Sequence, residues 1–382
     1  MRVLQVGKYY QPEVGGIERH VGILARGLRA RDVNVEVVVH HRVRHTVRES
    51  VDGVPVTRVG TLGRVFSTEV SPTLVAELSR DYDVLHLHAP HPLGMLAYLL
   101  SRKPRNHLLV VSHHSDVVRQ ARLRAALAPL FNSVMERAGL IITGSKRYAE
   151  TSPELEPHRA KVRVIPYGVD LSRFSPRSRA SLAAMELRAR YAGPITFALG
   201  RLVYYKGFQV LIDAFAHVPG TLLLGGEGPL RHELEERAQR RGLGSRVHFV
   251  GAIPEVDLAA YYGAADVFVL PSVARSEAFG IVQIEALAAG IPVVNTALDS
   301  GVPEVSLDGV TGLTVPPNDA GALAAALNEI FSSTIRAVEF GKAARARALR
   351  QFTHDRMADE TLDAYRAALA KTSSSLRSVP AT

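Results

Sequence analysis

One pattern is written twice in this chain and limits what it can fold into. Residues 2–7 (RVLQVG) are a short apolar run, and residues 8–16 a loop containing Pro12 and Gly15-Gly16. Residues 17–31 then place Ile17, Val21, Leu24, Ala25 and Leu28 at spacings of three and four, which line one face of a helix. Residues 195–199, 200–207 and 208–216 repeat the same order. Strand, loop and helix open a doubly wound α/β domain, and two openings in 382 residues imply two domains. Neither opening is GxGxxG, so a dinucleotide oxidoreductase is disfavoured.

Further strand-like runs fall at 33–39, 54–59, 84–87, 108–111, 140–143 and 162–165, then at 221–224, 247–250, 267–270, 292–294 and 313–315. Helical stretches separate most of them, as parallel sheets require. VRVIPYGVD at 162–170 ends in a Pro-Tyr-Gly turn, and residues 171–193 shift towards Ser, Arg and Ala. The expected division is a first domain at 1–170, a hinge at 171–193, a second domain at 194–360 and a terminal helix with a tail at 361–382. That helix is expected to cross back to the first domain, and the final residues to fray.

Composition narrows the class. The chain is 47% hydrophobic and 22% charged, ordinary for a globular protein. It has no cysteine, which excludes a disulfide framework and thiolate chemistry. No signal peptide and no transmembrane span are expected from its apolar runs. The net charge of +9 is uneven, with 29 Lys+Arg against 17 Asp+Glu in residues 1–190 and 17 against 20 thereafter. A basic first half suits an anionic membrane surface or an acidic acceptor. Nucleic acid is not expected, since aromatic content is 6% and no nucleic-acid motif is present.

Residues 271–294, PSVARSEAFGIVQIEALAAGIPVV, carry the densest chemistry. A carboxylate, Glu277, precedes the helix, and a second, Glu285, lies within it. Phe279-Gly280 marks the helix start. A glycine there admits a ligand close to the backbone, and unpaired amides at a helix N-terminus suit a diphosphate. Carboxylates on either side suit sugar and ribose hydroxyls. GRLVYYKG at 200–207 adds Arg201 and Lys206, a forked and a compact cation for the same diphosphate.

These segments, with GGEGPL at 225–230, VIPYGVD at 164–170 and VGG at 14–16, resemble the large retaining glycosyltransferase family 4. The likeness covers nearly the whole chain. It implies an α/β, GT-B architecture of two facing Rossmann-like domains with parallel sheets and a helical C-terminus. It also implies roles. Arg201 and Lys206 stabilise the leaving diphosphate, and Glu277 grips the donor sugar, with the backbone of Phe279, Gly280 and Ile281 touching sugar and phosphate. Glu285 takes the ribose, Gly16 approaches the diphosphate from the first domain, and the base lies near Gly251 and Ile253. His114, in VVSHHSD, matches the family histidine near the donor sugar, whereas His113 is expected to be structural.

No cofactor and no metal are expected. Asp81-Tyr82-Asp83 resembles a metal-holding DxD, but it directly precedes a strand where the family places a carboxylate without a metal role. The crowded histidines His86, His88 and His91 lack a nearby carboxylate other than Asp83, which weighs against a metal site. The basic stretch 117–137, with Arg119, Arg122 and Arg124 near Leu123, Leu127 and Leu130, suits a lipid interface or a solvated helix packed on its own domain.

The sequence thus predicts retaining transfer of a hexose, first mannose from GDP-mannose, to a lipid-linked oligosaccharide or polysaccharide acceptor. The closest pattern is that of bacterial mannosyl- and rhamnosyltransferases of surface-polysaccharide assembly. A cytoplasmic protein, peripheral on the inner membrane face, is expected. The alternatives are a UDP-sugar donor, an epimerase or sugar-phosphate synthase of the same architecture, and a non-catalytic sugar-binding homologue.

Overall fold

The structure, a computed structural model, describes residues 1–13, 15–65, 68–104, 106–116, 121–175 and 181–377. It consists of two compact units, one of Met1–Gly168 plus the chain from His354 onward, the other Val169–Thr353.

The first unit holds β1 (Arg2–Val6), β2 (Asn34–His40), β3 (Val47–Val51), β4 (Val54–Val59), β5 (Gly63–Val65), β6 (Thr68–Val70), β7 (Val84–Ala89), β8 (Leu108–His113), β9 (Leu140–Thr143) and β10 (Val162–Val164). Its main sheet runs β10-β9-β8-β7-β1-β2-β4-β3, and β5 pairs with β6 in a separate hairpin. Every neighbour in the main sheet is parallel except β3, which lies antiparallel to β4. β7 and β8 are buried along their whole length, as strands covered on both faces must be. The chain order reverses between β1 and β7, so the loops after these strands open at a topological switch point.

The helix His354–Arg377 belongs to this unit and packs on the helix Gly16–Arg29. Gly27 permits a close approach, because a Cβ there would stand 2.8 Å from Ala358 Cβ. Arg31 forks onto Asp359 at 2.5 and 2.8 Å. Met357, Leu362, Tyr365 and Ala368 enter the same core as Val21, Leu24 and Leu28.

The second unit holds β11 (Ile195–Leu199), β12 (Thr221–Gly225), β13 (Val247–Gly251), β14 (Val267–Leu270), β15 (Val293–Thr296) and β16 (Gly312–Val315). They form an all-parallel sheet in the order β13-β12-β11-β14-β15-β16. The switch point here lies between β11 and β14. Phe208, Leu211 and Phe215 from the helix Phe208–Phe215 pack on Leu222, Leu224 and Val267 of the sheet.

The segment 171–193, expected as a hinge, lies in the second unit and is partly helical. Its helix Leu182–Ala189 packs on Leu258–Ala264, and Arg188 bonds Ala264 O and Asp266, both at 2.9 Å. The terminal helix begins at His354, ahead of the expected 361. Among the described residues no helix is long and apolar enough to cross a membrane.

Candidate donor site and first-unit histidines

The expected diphosphate residues gather at the carboxyl ends of β11 and β14. After β11 the chain turns through a 3-10 segment, Tyr204–Lys206, and enters its helix at Gly207, whose φ is 69°. A Cβ on Gly207 would meet Pro271 O at 2.0 Å, so only glycine lets the two loops touch. They are also tied by a hydrogen bond from Val273 N to Tyr205 O, 2.8 Å. The glycine loop after β12 joins them, since Gly200 N donates to Gly225 O at 3.1 Å and Leu202 N to Glu227 O at 2.9 Å. A Cβ on Gly226 would strike Gly200 O at 2.0 Å. GRLVYYKG, GGEGPL and EAFGIVQIE therefore converge in space as one backbone assembly.

Lys206 Nζ lies 2.5 Å from Glu277 Oε2, with both residues buried. Burial alone would depress the Lys206 pKa, but the Glu277 carboxylate, with Tyr205, outweighs it and raises the value above that of an ordinary lysine. Ser272 Oγ donates to the same Glu277 oxygen at 3.3 Å. Arg201 differs in every respect: it is exposed, and its guanidinium makes no ion pair among the described residues.

Gly280 begins the helix Ile281–Ala289 with φ 76° and offers no side-chain cap, leaving the first-turn amides unpaired by a cap. Phe279 is buried and packs edge-on to Phe352. Beneath this turn lies an amide network absent from the sequence reading. Gln283 donates to Phe279 O and Val302 O, each at 3.3 Å, and accepts from Asn295 Nδ2 at 2.9 Å. Asn295 in turn receives Thr314 Oγ1 at 2.7 Å. Gln283, Asn295 and Thr314 are polar residues in apolar-looking segments, so their spacing carried no signal.

Glu285 departs from the picture of an open ribose ligand. It is fully buried, and its Oε2 accepts from Tyr262 Oη at 2.8 Å. Tyr262 also donates to Val282 O at 3.1 Å, which holds the ring against this helix. Gly251 has φ 72°, and Ile253 is half-buried with its Cδ1 2.7 Å from where a Gly225 Cβ would stand. Both lie beside the glycine loop.

Gly16 and His114 belong to the first unit. Gly16 is exposed at the start of its helix, and Gly15 caps it without a side-chain bond. The Glu18 carboxylate folds back there, so that a Cβ on Gly15 would meet Glu18 Oε2 at 2.0 Å. Burial lifts the Glu18 pKa above the usual carboxylate range. A carboxylate of the chain's own thus lies beside the glycine pair. Val14, just before it, lies outside the described residues.

His114 is buried, with Nδ1 2.7 Å from Tyr167 Oη and Nε2 3.0 Å from His88 Nδ1. His20, missed in the sequence reading, stands edge-on to it at 5.1 Å. Burial holds the His20 pKa at about 4 and those of His88 and His114 well below the ordinary value, so all three rings are neutral at physiological pH. His113 is held instead between Glu154, 2.9 Å, and Tyr148, 3.2 Å. Asp83 accepts from Arg2 N at 2.7 Å, at the amino end of β7 and away from the carboxyl-end loops. In the basic stretch, residues 117–120, including Arg119, lie outside the described residues. The helix Ala121–Arg137 follows, with Leu127 and Leu130 half-buried.

Two doubly wound units, with cations and a buried Lys–Glu pair at a switch point, define a GT-B glycosyltransferase, and the comparisons agree. The chain belongs to the glycosyltransferases: the profile "Glycosyltransferase Family 4" matches residues 14–173 and "Glycosyl transferases group 1" residues 186–347. It is 30% identical to O-antigen chain mannosyltransferase C of Escherichia coli, over 96% of this chain and 98% of that protein. It is 32% identical to the D-rhamnosyltransferase WbpZ of Pseudomonas aeruginosa, over 92% of each. Sucrose-phosphate synthase from Thermosynechococcus elongatus superposes with a TM-score of 0.81 at 26% identity, over 97% of this chain and 99% of that one.

Proposed function

We propose that this protein transfers mannose from GDP-mannose, with retention, to a lipid-linked oligosaccharide or polysaccharide acceptor. The observation that carries the reading is the buried Lys206–Glu277 pair at the β11/β14 switch point, on the same loop as Arg201, which makes no ion pair among the described residues. Arg201 is free to meet the donor diphosphate, and negative charge grows there as the nucleotide leaves. Lys206 contributes a fixed positive charge. Glu277 has one oxygen engaged by Lys206 and Ser272, and the other meets sugar hydroxyls. Glu277 is a gripping residue in this account. The donor phosphate takes the acceptor proton on the same face as the departing nucleotide, so no covalent sugar–enzyme bond forms. The diphosphate's charge is met by side chains, and no metal is assigned to it.

Mannose is favoured by the relatives. Besides the Escherichia coli mannosyltransferase, a phosphatidylinositol monomannoside mannosyltransferase of Mycolicibacterium smegmatis, named as GDP-mannose-dependent, is 31% identical over 73% of this chain. The Arg-rich first half would favour an acceptor embedded in an anionic membrane surface. A second reading, transfer to a sugar phosphate, draws on the likeness to sucrose-phosphate synthase. Thermal-shift measurements with GDP-, UDP-, ADP- and dTDP-sugars, followed by transfer assays with lipid-linked and phosphorylated acceptors, separate the two. GDP-mannose should give the largest shift, and Glu277→Gln should lower turnover at least a hundredfold. Undiminished turnover in that variant would remove the central assignment.

A further inference from the structure

Three imidazoles from three elements of the first unit meet in one buried place. His88 is in β7, His114 directly follows β8, and His20 lies in the helix Gly16–Arg29. One nitrogen from each lies within 4.8 Å of the others. The His88 and His114 rings are nearly parallel, 9° apart, while His20 stands edge-on to both.

Hydrogen bonding does not account for this cluster. It supplies His114 with Tyr167 and His88, and then stops. His88 Nε2 and His20 Nδ1 are buried without a hydrogen-bond partner among the described residues. Buried polar groups left so are uncommon and ask for a missing ligand or water. The neighbouring cluster of His113, Asp116 and Glu154 offers the contrast. There His113 has Glu154 and Tyr148, and Asp116 has Ser152 at 2.6 Å, so the cluster is closed by its own bonds.

We propose that His20, His88 and His114 form a three-imidazole site for a divalent cation of the zinc, nickel and copper class. Neutral imidazole nitrogens select these ions over magnesium or calcium, which take oxygen ligands. Tyr167 on His114 Nδ1 is the outer partner that fixes a ligand's tautomer, and an ion on Nε2 replaces the hydrogen bond that Nε2 shares with His88 Nδ1. A tetrahedral ion about 2.0–2.1 Å from each nitrogen wants nitrogens about 3.4 Å apart. The widest pair, at most 4.8 Å, must therefore close by no more than about 1.4 Å. Three protein nitrogens leave a fourth position for solvent or a ligand oxygen. Because the family resemblance puts His114 near the donor sugar, a bound ion should inhibit the proposed transfer. That consequence alone rests on the functional reading above.

The test is cobalt titration of metal-stripped, tag-free, full-length protein. One ion per chain with the intense visible absorption of tetrahedral cobalt is expected, and zinc should displace it. The weak spectrum of hydrated cobalt would overturn the proposal without any variant. His20→Ala and His88→Ala should each weaken binding at least tenfold by calorimetry, and His41→Ala should not. Binding that survives the first two places the ion elsewhere and rejects the site. Donor thermal shifts on the stripped protein keep the two readings apart. Donor binding without a cobalt site sinks only this proposal, whereas a cobalt site without donor binding sinks only the transfer reading.

Discussion

Arg201 and Lys206 are five residues apart and bear the same charge, yet removing each should have different consequences. Lys206 is buried against Glu277. Lys206→Met strands that carboxylate in the interior with Ser272 alone, and breaking a buried pair in this way costs about 3–5 kcal/mol. Arg201 is exposed and makes no ion pair among the described residues. Arg201→Met should therefore change stability by no more than about 0.5 kcal/mol while raising the donor KM. Urea unfolding and donor kinetics on the two variants check this. Equal stability losses would show that Lys206 is not held as the structure has it. Glu285 calls for a similar comparison, since Tyr262→Phe removes the hydrogen bond to its buried Oε2. If Glu285 serves the ribose, Glu285→Gln should raise donor KM more than Tyr262→Phe does. If it serves only the helix, both should lower stability and leave KM alone.

The turn that starts the helix Ile281–Ala289 shows the limits of side-chain reasoning at the scale of an element. Gly280 has φ 76°, and a Cβ would stand 2.5 Å from Leu270 Cδ2 and 2.8 Å from Gln283 Nε2. The left-handed backbone costs an L-residue about 1–2 kcal/mol, and the contact with Leu270 adds to it. Gly280→Ala should lower the stability of the second unit and weaken donor binding together. A variant with unchanged donor affinity would mean the turn does not touch the donor. Much of this element was legible. The Phe-Gly start, the strand before it and the two cations in the paired loop are all local signals of period, turn and charge. What was not legible depends on partners distant in sequence. Glu285 reads as a ribose-binding carboxylate, and its bond to Tyr262, 23 residues away, carries no local signal. Gln283 and Asn295 read as ordinary helix and strand residues until the chain folds them onto each other. β3 and the β5–β6 hairpin were missed for the same reason, because β3 exists as a strand only through its antiparallel pairing with β4, and its residues VRESV have little apolar alternation. His20 escaped notice as one of several polar residues in an amphipathic helix, and only the return of β7 and β8 beside it gives it neighbours.

At the scale of the whole chain, the first unit is built from both ends of the sequence, and its chemistry makes it acid-sensitive. His20 and His40 are each held by burial at a pKa of about 4, below the ordinary value of 6.5. Above pH about 6.5 neither the folded nor the unfolded chain protonates them, and their effect on stability is nil. As pH falls below that value the unfolded chain takes up protons first, so stability falls by about 1.4 kcal/mol per pH unit for each group. The slope ends once pH passes the folded value of about 4. A urea midpoint for the first unit that stays flat between pH 7 and 5 would show these rings to be already charged or exposed. The C-terminal helix makes the stronger demand. Its Met357, Leu362 and Tyr365 are in the first unit's core, and Tyr365 Oη meets His86 Nδ1 at 2.6 Å. A chain ending at residue 353 would uncover that core and leave His86 with Ser112 alone. Burying a large apolar side chain is worth about 1.5–3 kcal/mol, so losing these three costs about 4.5–9 kcal/mol, comparable to the roughly 5–15 kcal/mol that holds a whole domain folded. The truncated chain should therefore retain a cooperatively melting second unit while the first loses its amide protection, measured residue by residue by hydrogen exchange. Gly27→Leu presses on the same interface more gently, through the 2.8 Å approach to Ala358, and should loosen the terminal helix while the strands stay protected. Full protection of β1, β7 and β8 in the truncated chain would mean the first unit closes without its last helix.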